Sequence, residues 1–220
     1  MMVLLWLIVK PIEVTRKLLP HVETETVTRS ELSVLADIAE ESDQIEEDEE
    51  AVIQNVLRLR EIQVSDIMTP RVVMRTVGTK EKVGDVIERI PIMIYGRMPM
   101  IGDSIDEVKG MVLRSEILRR AAVDDYSSHM QDMSREIFHC SQDDSVDKAL
   151  DVLLENKVQM LIVKDDFGGT VGLITMEDVI ETLLGVEIVD ESDQEGIDDG
   201  VHHEDMRELA KQRYEDSESE

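Results

Sequence analysis

An internal repeat with a period of about 62 residues constrains the fold of this chain more than any other feature. The period is too long for a solenoid, and the hydrophobic spacing predicts a β-α-β-β-α unit in each copy. In the first copy the predicted elements are strand 73–77, helix 83–90, strands 97–101 and 107–112, and helix 114–120. In the second copy they are strand 137–140, helix 146–155, strands 159–163 and 170–174, and helix 176–184. Neither unit would bury its small sheet well alone, so we expect the two units to cover each other.

Negative charge is concentrated on either side of the repeats. Of the formal net charge of −27, residues 22–50 contribute twelve acidic residues against one Arg, and residues 186–220 contribute fourteen against three basic residues. Apolar residues between 30 and 59 recur at helical spacing with a break near Ser42, which predicts an acidic helical linker. Such charge runs more often form a solvated face than a cation site. No dense Lys/Arg cluster offers a surface to a phosphate backbone, so nucleic acid is excluded as a partner.

The first residues are apolar but too few to cross a bilayer. Residues 3–9 are followed by Lys10 and Pro11, well short of the roughly 20 residues that a membrane helix needs. The segment fits the end of a transmembrane helix, an interfacial anchor with Trp6 at the headgroups, or a buried helix. The single cysteine, Cys140, excludes an internal disulfide framework and fits a reducing compartment.

The sharpest local motif is the run Gly172-Leu173-Ile174-Thr175-Met176-Glu177-Asp178-Val179-Ile180, in which a predicted strand leads into a predicted helix. Thr175 suits the N-cap of that helix, and acidic residues in the first turn suit the helix dipole. Capping alone accounts for Thr175, but it does not account for the whole run. A helix N-terminus also offers unpaired N–H groups to an anion, and a carboxylate suits a vicinal diol.

This run resembles the ribose-phosphate motif of CBS domains, Gly-hydrophobic-x-Thr-x-x-Asp at the end of a β-α-β-β-α repeat. Three further stretches are similar to the cyclin-M/CorC (hemolysin-like) magnesium and cobalt transport family: 45–49, 61–71 and 165–172. The resemblance implies an α/β fold, a tandem CBS pair preceded by the acidic helical linker. It implies five regions: 1–21, the remnant of a membrane domain; 22–60, the linker; 61–122 and 123–187, the CBS repeats; and 188–220, a flexible acidic tail.

The resemblance also assigns a nucleotide site. In the family the Thr hydroxyl and the helix N-terminus contact the phosphates, and the Asp accepts hydrogen bonds from the ribose hydroxyls. The resemblance implies these roles for Thr175 and Asp178. Arg97, in the stretch Gly96-Arg97-Met98-Pro99-Met100, would approach the phosphates from the other repeat. Ile137 and Phe138 would line the adenine pocket, and Thr69 would close it from the first repeat.

The first repeat departs from the motif. Leu113 and Glu116 stand where Thr175 and Asp178 stand in the second repeat, and an apolar Leu cannot donate a hydrogen bond to a phosphate. We therefore expect one nucleotide for the pair rather than two.

By resemblance, the chain is a regulatory module that binds Mg-ATP at the cytoplasmic face of a membrane, for its own or a separate transmembrane cation transport domain. Apolar faces around Val86, Ile90, Leu150 and Leu153 further suggest a homodimer. The alternative is a dimerisation scaffold without nucleotide. No motif indicates a catalytic centre, so an enzyme is not expected. The run 202–205, His-His-Glu-Asp, is not expected to form a specific metal site.

Overall fold

A computed structural model describes residues 27–185. The predicted membrane-proximal segment 1–21, the predicted tail 188–220 and the His-rich run 202–205 lie outside the described residues. Within 27–185, no helix has both the length and the apolar character needed to cross a bilayer.

Seven helices and seven strands follow one another along the described part of the chain. The helices are α1 Arg29–Glu41, α2 Glu47–Arg58, α3 Val64–Ile67, α4 Val83–Arg89, α5 Arg114–Ala121, α6 Val146–Asn156 and α7 Met176–Leu184. The strands are β1 Thr69–Pro70, β2 Val77–Gly78, β3 Arg97–Ile101, β4 Val108–Leu113, β5 Phe138–Ser141, β6 Met160–Lys164 and β7 Thr170–Thr175. Short 3-10 turns span Arg71–Val73 and Met130–Met133. The predicted α/β class and the β-α-β-β-α order of both repeats are confirmed.

The two repeats form two sheets of matching order. In the first repeat β2 pairs parallel with β3, and β3 pairs antiparallel with β4. In the second repeat β5 pairs parallel with β6, and β6 pairs antiparallel with β7. The second sheet gains a fourth strand, because β1 pairs antiparallel with the outer edge of β7.

Each repeat is completed by a segment that lies next to the other repeat in the sequence. The segment 64–69 lies at the start of the first repeat, yet Val64 and Ile67 belong to the core of the second, and Thr69 pairs with Leu173. The segment 130–135 lies before the first strand of the second repeat, yet Met130 and Met133 belong to the core of the first. This exchange ties the two units into one body.

The predicted first strand of the first repeat is much shorter than expected. The sequence predicts strand 73–77, but only Val77–Gly78 is extended and paired, and Arg71–Val73 forms a 3-10 turn. The reason is that Met74 packs against the second repeat, on Met160, Ile162 and Leu173. The chain therefore contacts the sheet of the second repeat before it pairs in the sheet of the first.

The residues that suggested a dimer are used inside the repeats. Val86 and Leu153 are fully buried, each in the core of its own repeat, and Ile90 and Leu150 pack against the same two cores. Val86 and Leu153 therefore cannot contact a second copy of the chain, whereas Ile90 and Leu150 are half-buried and keep part of their surface accessible.

The acidic linker folds as the predicted pair of helices. Thr28 caps α1 through a reciprocal box with Glu31. Four acidic residues occupy the first turn of α2, where they suit the helix dipole. The Gln54 side chain joins the two helices through the Ser33 carbonyl and the Asp37 carboxylate. The amide of Asn55 donates to the Leu183 carbonyl, at 3.2 Å, so α2 rests on the last helix of the second repeat.

Candidate nucleotide site

Thr175 and Asp178 meet at the junction of β7 and α7. The Thr175 hydroxyl accepts from the Asp178 backbone N–H at 3.3 Å and lies 2.8 Å from Asp178 Oδ2, to which it donates. The Thr175 backbone N–H donates to the same carboxylate oxygen at 2.6 Å. This capping box satisfies two orphan groups of the helix terminus. The sequence-predicted cap is therefore present, and Asp178 takes part in it.

Four of the predicted site residues lie where the strands of the four-stranded sheet begin or end on one side, which we call the second-repeat edge. Asp178 lies just beyond this edge, in the first turn of α7. β7 ends there at Thr175, which is paired with Met160 at the start of β6. β5 begins there, with Phe138 opposite Leu161, and β1 begins there, with Thr69 opposite Leu173. Ile137 directly precedes β5. Met160, which the motif does not single out, is the buried residue opposite Thr175.

Ile137 and Phe138 point to opposite sides of this sheet. Ile137 packs with Met160 and Leu173 on the face that meets the first repeat. Phe138 packs against the core under α6 and α7, as alternation along a strand requires. Only Ile137 therefore offers its side chain to a space between the repeats, and Phe138 can contribute there through its backbone.

Arg97 lies at the corresponding edge of the other sheet. It opens β3 and is paired with Leu113, the last residue of β4. Its side chain is half-buried and makes no hydrogen bond or ion pair with residues 27–185. The guanidinium is therefore available to a ligand, but no contact in the described structure connects it with Thr175 or Asp178.

The matching position of the first repeat has different chemistry. Leu113 is the N-cap of α5 and makes no side-chain cap bond. Glu116 binds Arg119 and Arg120 instead of capping the helix. The Arg119 hydrogen bond, followed by the charges of Arg119, Arg120 and Arg135, holds the Glu116 pKa below its ordinary value, although partial burial opposes this.

The six predicted site residues differ in exposure. Asp178 is 3% exposed, and Thr69 is 8% exposed. Thr175, Arg97, Ile137 and Phe138 are half-buried. Surface pockets of about 500 Å³ and 430 Å³ lie at the α1–α2 turn and beside the β6–β7 turn, and neither is lined by Thr175 or Asp178. A ligand that reached the Asp178 carboxylate would therefore need neighbouring side chains to move.

Comparison with known proteins agrees with the fold and with the motif. The CBS domain family model matches residues 123–185. The CBS domain of a bacterial CNNM/CorC family Mg²⁺ transporter is 33% identical in sequence and superposes with a TM-score of 0.70, covering 74% of this chain and 99% of that structure. The chain belongs to the CNNM/CorC family. The expectation from the motifs at 61–71 and 165–180 is thereby confirmed.

Two further relatives within the family bear on function. The magnesium and cobalt efflux protein CorC of Vibrio cholerae is 29% identical over 190 residues. The match covers 86% of this chain and 63% of that protein, so the chain spans less than two thirds of this relative. The structure of a bacterial CNNM/CorC CBS domain in complex with ATP is 32% identical, with a TM-score of 0.60 over 63% of this chain.

Proposed function

We propose that this chain is the regulatory, non-enzymatic CBS module of a divalent-cation transport protein, and that it binds one Mg-ATP between its repeats at the second-repeat edge. The observation that carries the proposal is the Thr175–Asp178 pair at the start of α7, on the edge where Thr69 of the first repeat joins the second sheet. The similarity to a family member solved with ATP supports it.

The residues at this edge fit the parts of a nucleotide. The Thr175 hydroxyl and the N-terminal amides of α7 are donors suited to phosphate oxygens, and the Asp178 carboxylate is an acceptor suited to ribose hydroxyls. In the structure the Asp178 carboxylate accepts hydrogen bonds from the Thr175 backbone N–H and hydroxyl. Binding therefore exchanges Thr175 for the ribose as the donor to Asp178, and it frees the Thr175 hydroxyl for the phosphates.

The charge of the chain favours the magnesium complex over free ATP. Residues 51–185 carry a formal charge of −7, which repels a nucleotide carrying about four negative charges. Mg²⁺ cancels two of those charges and lowers the number of cations that the protein must supply. Arg97, which has no ion-pair partner among the described residues, is the side chain proposed to meet the remainder.

The described contacts give a route from this site to the linker. Thr175 is the N-cap of α7, and the Leu183 carbonyl of that helix accepts from the Asn55 side chain of α2. A change at the start of α7 would therefore reach the acidic helices, which would pass it to a membrane domain on the cytoplasmic side. Binding can bias such a switch only through different affinities for its two states. A homodimer of the module is part of the same proposal.

Titration calorimetry with ATP tests the proposed site. We expect tighter binding with Mg²⁺ than with EDTA, and a loss of about ten- to a hundredfold in Asp178→Ala, because an unpaired buried partner costs about 1.5–3 kcal/mol. Glu116→Ala, at the matching position of the first repeat, is the control and should bind normally. Unchanged affinity in Asp178→Ala would refute the site, and no binding by the unmutated chain would favour the scaffold.

A further inference from the structure

A polar cluster joins the two repeats at the edge opposite the candidate nucleotide site. Arg71 Nη1 lies 2.8 Å from Asp106 Oδ1 and 3.4 Å from the Thr170 carbonyl, to which it donates. Asp106 Oδ1 also accepts from the Thr170 backbone N–H at 3.0 Å. We call Arg71, Asp106 and Thr170 the clasp. Asp106 belongs to the β3–β4 loop of the first repeat, and Thr170 opens β7 of the second, so the clasp bridges the repeats.

The clasp is well placed to set the angle between the two β-hairpins. In the first repeat, Asp106 lies at the loop end of β3–β4, and Arg97 lies at the other end. In the second repeat, Thr170 lies at the turn end of β6–β7, and Thr175 lies at the other end. Five strand residues, about 17 Å, separate Thr170 from Thr175. A small rotation about the clasp therefore becomes a larger displacement between Arg97 and Thr175.

The surroundings of the clasp contain one contribution that opposes the observed arrangement and others that favour it. The Thr170 hydroxyl is fully buried and has no hydrogen-bond partner among residues 27–185. A buried polar group without a partner disfavours the state that buries it. The apolar contact beside it, where Met74 and Val108 pack on Ile162, favours that state. The ion pair of Arg71 with Asp106 also favours the observed arrangement.

We propose that the clasp is the hinge of the CBS pair and that Arg71 and Asp106 are positioning residues for nucleotide binding. They touch no ligand, and they set the position of Arg97 relative to Thr175 and Asp178. The role in nucleotide binding rests on the proposed function, whereas the hinge itself does not depend on it. Because the pair is about half exposed, at 44% and 45%, its loss can change nucleotide affinity by at most about fivefold.

Nitroxide labels on the two repeats test the hinge directly. Glu88→Cys on α4 and Asp151→Cys on α6 are exposed and occupy matching positions of the two repeats. The native Cys140 is buried, and burial raises its pKa to about 12, so it should not take the label. We expect Asp106→Asn and Arg71→Met to shift or broaden the distance distribution between the labels and to weaken Mg-ATP binding about three- to fivefold. Arg71→Lys should restore both.

The neighbouring ion pair of Lys109 with Glu107 is the matched control. It has similar exposure, at 51% and 44%, but lies within the first repeat, so Lys109→Met should change neither readout. An unchanged distance distribution in Asp106→Asn would overturn the hinge. A changed distribution with unchanged affinity would overturn the positioning role. If the unmutated chain binds no nucleotide, the proposed function fails, and the distances alone decide the hinge.

Discussion

The two repeats share one topology but differ in charge and in the chemistry at the start of their last helix. Residues 71–122 contain ten basic and seven acidic residues, whereas residues 123–185 contain four basic and fourteen acidic residues. In the second repeat the last helix is capped by Thr175 and Asp178, and in the first the N-cap residue is Leu113, which makes no side-chain cap bond. The apolar pattern that forms the sheets is common to both, so the repeats differ mainly at a few polar positions.

The two acidic residues at matching positions show how such a difference arises. Asp178 is short, is held by Thr175 and is almost fully buried. Glu116 is one methylene longer and turns to Arg119 and Arg120 on its own helix. Its negative charge is therefore neutralised within the first repeat, and Leu113, at the position of Thr175, has no hydroxyl to meet a phosphate.

The largest expected effect tests what the repeats have in common. A Cβ on Gly172 would lie 2.5 Å from the Thr69 carbonyl oxygen, and one on Gly110 would lie 2.6 Å from the Arg135 carbonyl oxygen. Each glycine lets an exchanged segment lie close against the last strand of its sheet. Gly172→Ala and Gly110→Ala should each lower the free energy of unfolding by about 2 kcal/mol or more in chemical denaturation.

Gly96→Ala is the control for these two variants, since nothing lies within 4 Å of a Cβ there. Of the pair, only Gly172→Ala should also weaken nucleotide binding, because it displaces the Thr69 edge. Equal stability of all three variants would show that the segment exchange does not hold the pair together.

A smaller effect separates the two helix starts. Thr175→Ala should cost about 1 kcal/mol of unfolding free energy, because it removes the side-chain cap of α7. Thr175→Ser keeps the hydroxyl and should cost much less. Leu113→Thr should instead add a side-chain cap to α5 and raise the free energy of unfolding, if the backbone at Leu113 already has the geometry of an N-cap. Thermal melts of the three variants measure this, and destabilisation by Leu113→Thr would contradict it.

The smallest expected effect concerns the dependence of stability on pH in acid. The pKa of Glu116 lies below its ordinary value of 4.5, mainly through the hydrogen bond from Arg119. A lowered folded-state pKa contributes stability above the unfolded value, and that contribution is lost as the pH falls through the folded value. Glu116→Gln should therefore make unfolding free energy less dependent on pH below about 4.5. Denaturation curves between pH 5 and 3 should show a shallower fall for the variant, and parallel curves would count against it.

The helices and most of the strands could be predicted from local patterns. The acidic pair α1 and α2 followed from helical spacing with a break near Ser42, and α7 followed from a cap at Thr175. Both signals are local, because spacing and capping act within one or two helical turns. The roles of the six nucleotide-site residues stay predictions, since they came from the family motif.

The exchange of segments could not be predicted, because it depends on contacts far apart in the sequence. Nothing in the periodicity of 64–69 indicates that Val64 and Ile67 pack in the second repeat. One similarity is nevertheless present near the start of each repeat: the backbone N–H of Gln63 and that of His129 each donate to the Asp three residues later. The homodimer stays a prediction, since spacing cannot show which partner covers an apolar face.

Hydrogen exchange with and without Mg-ATP tests the central claim most directly, that one repeat of the pair binds the nucleotide. Amides at the start of α7, around Thr175 and Asp178, should become more protected with Mg-ATP, while those around Leu113 and Glu116 at the start of α5 should change little. Equal protection at both helix starts, or protection at α5 alone, would contradict the account.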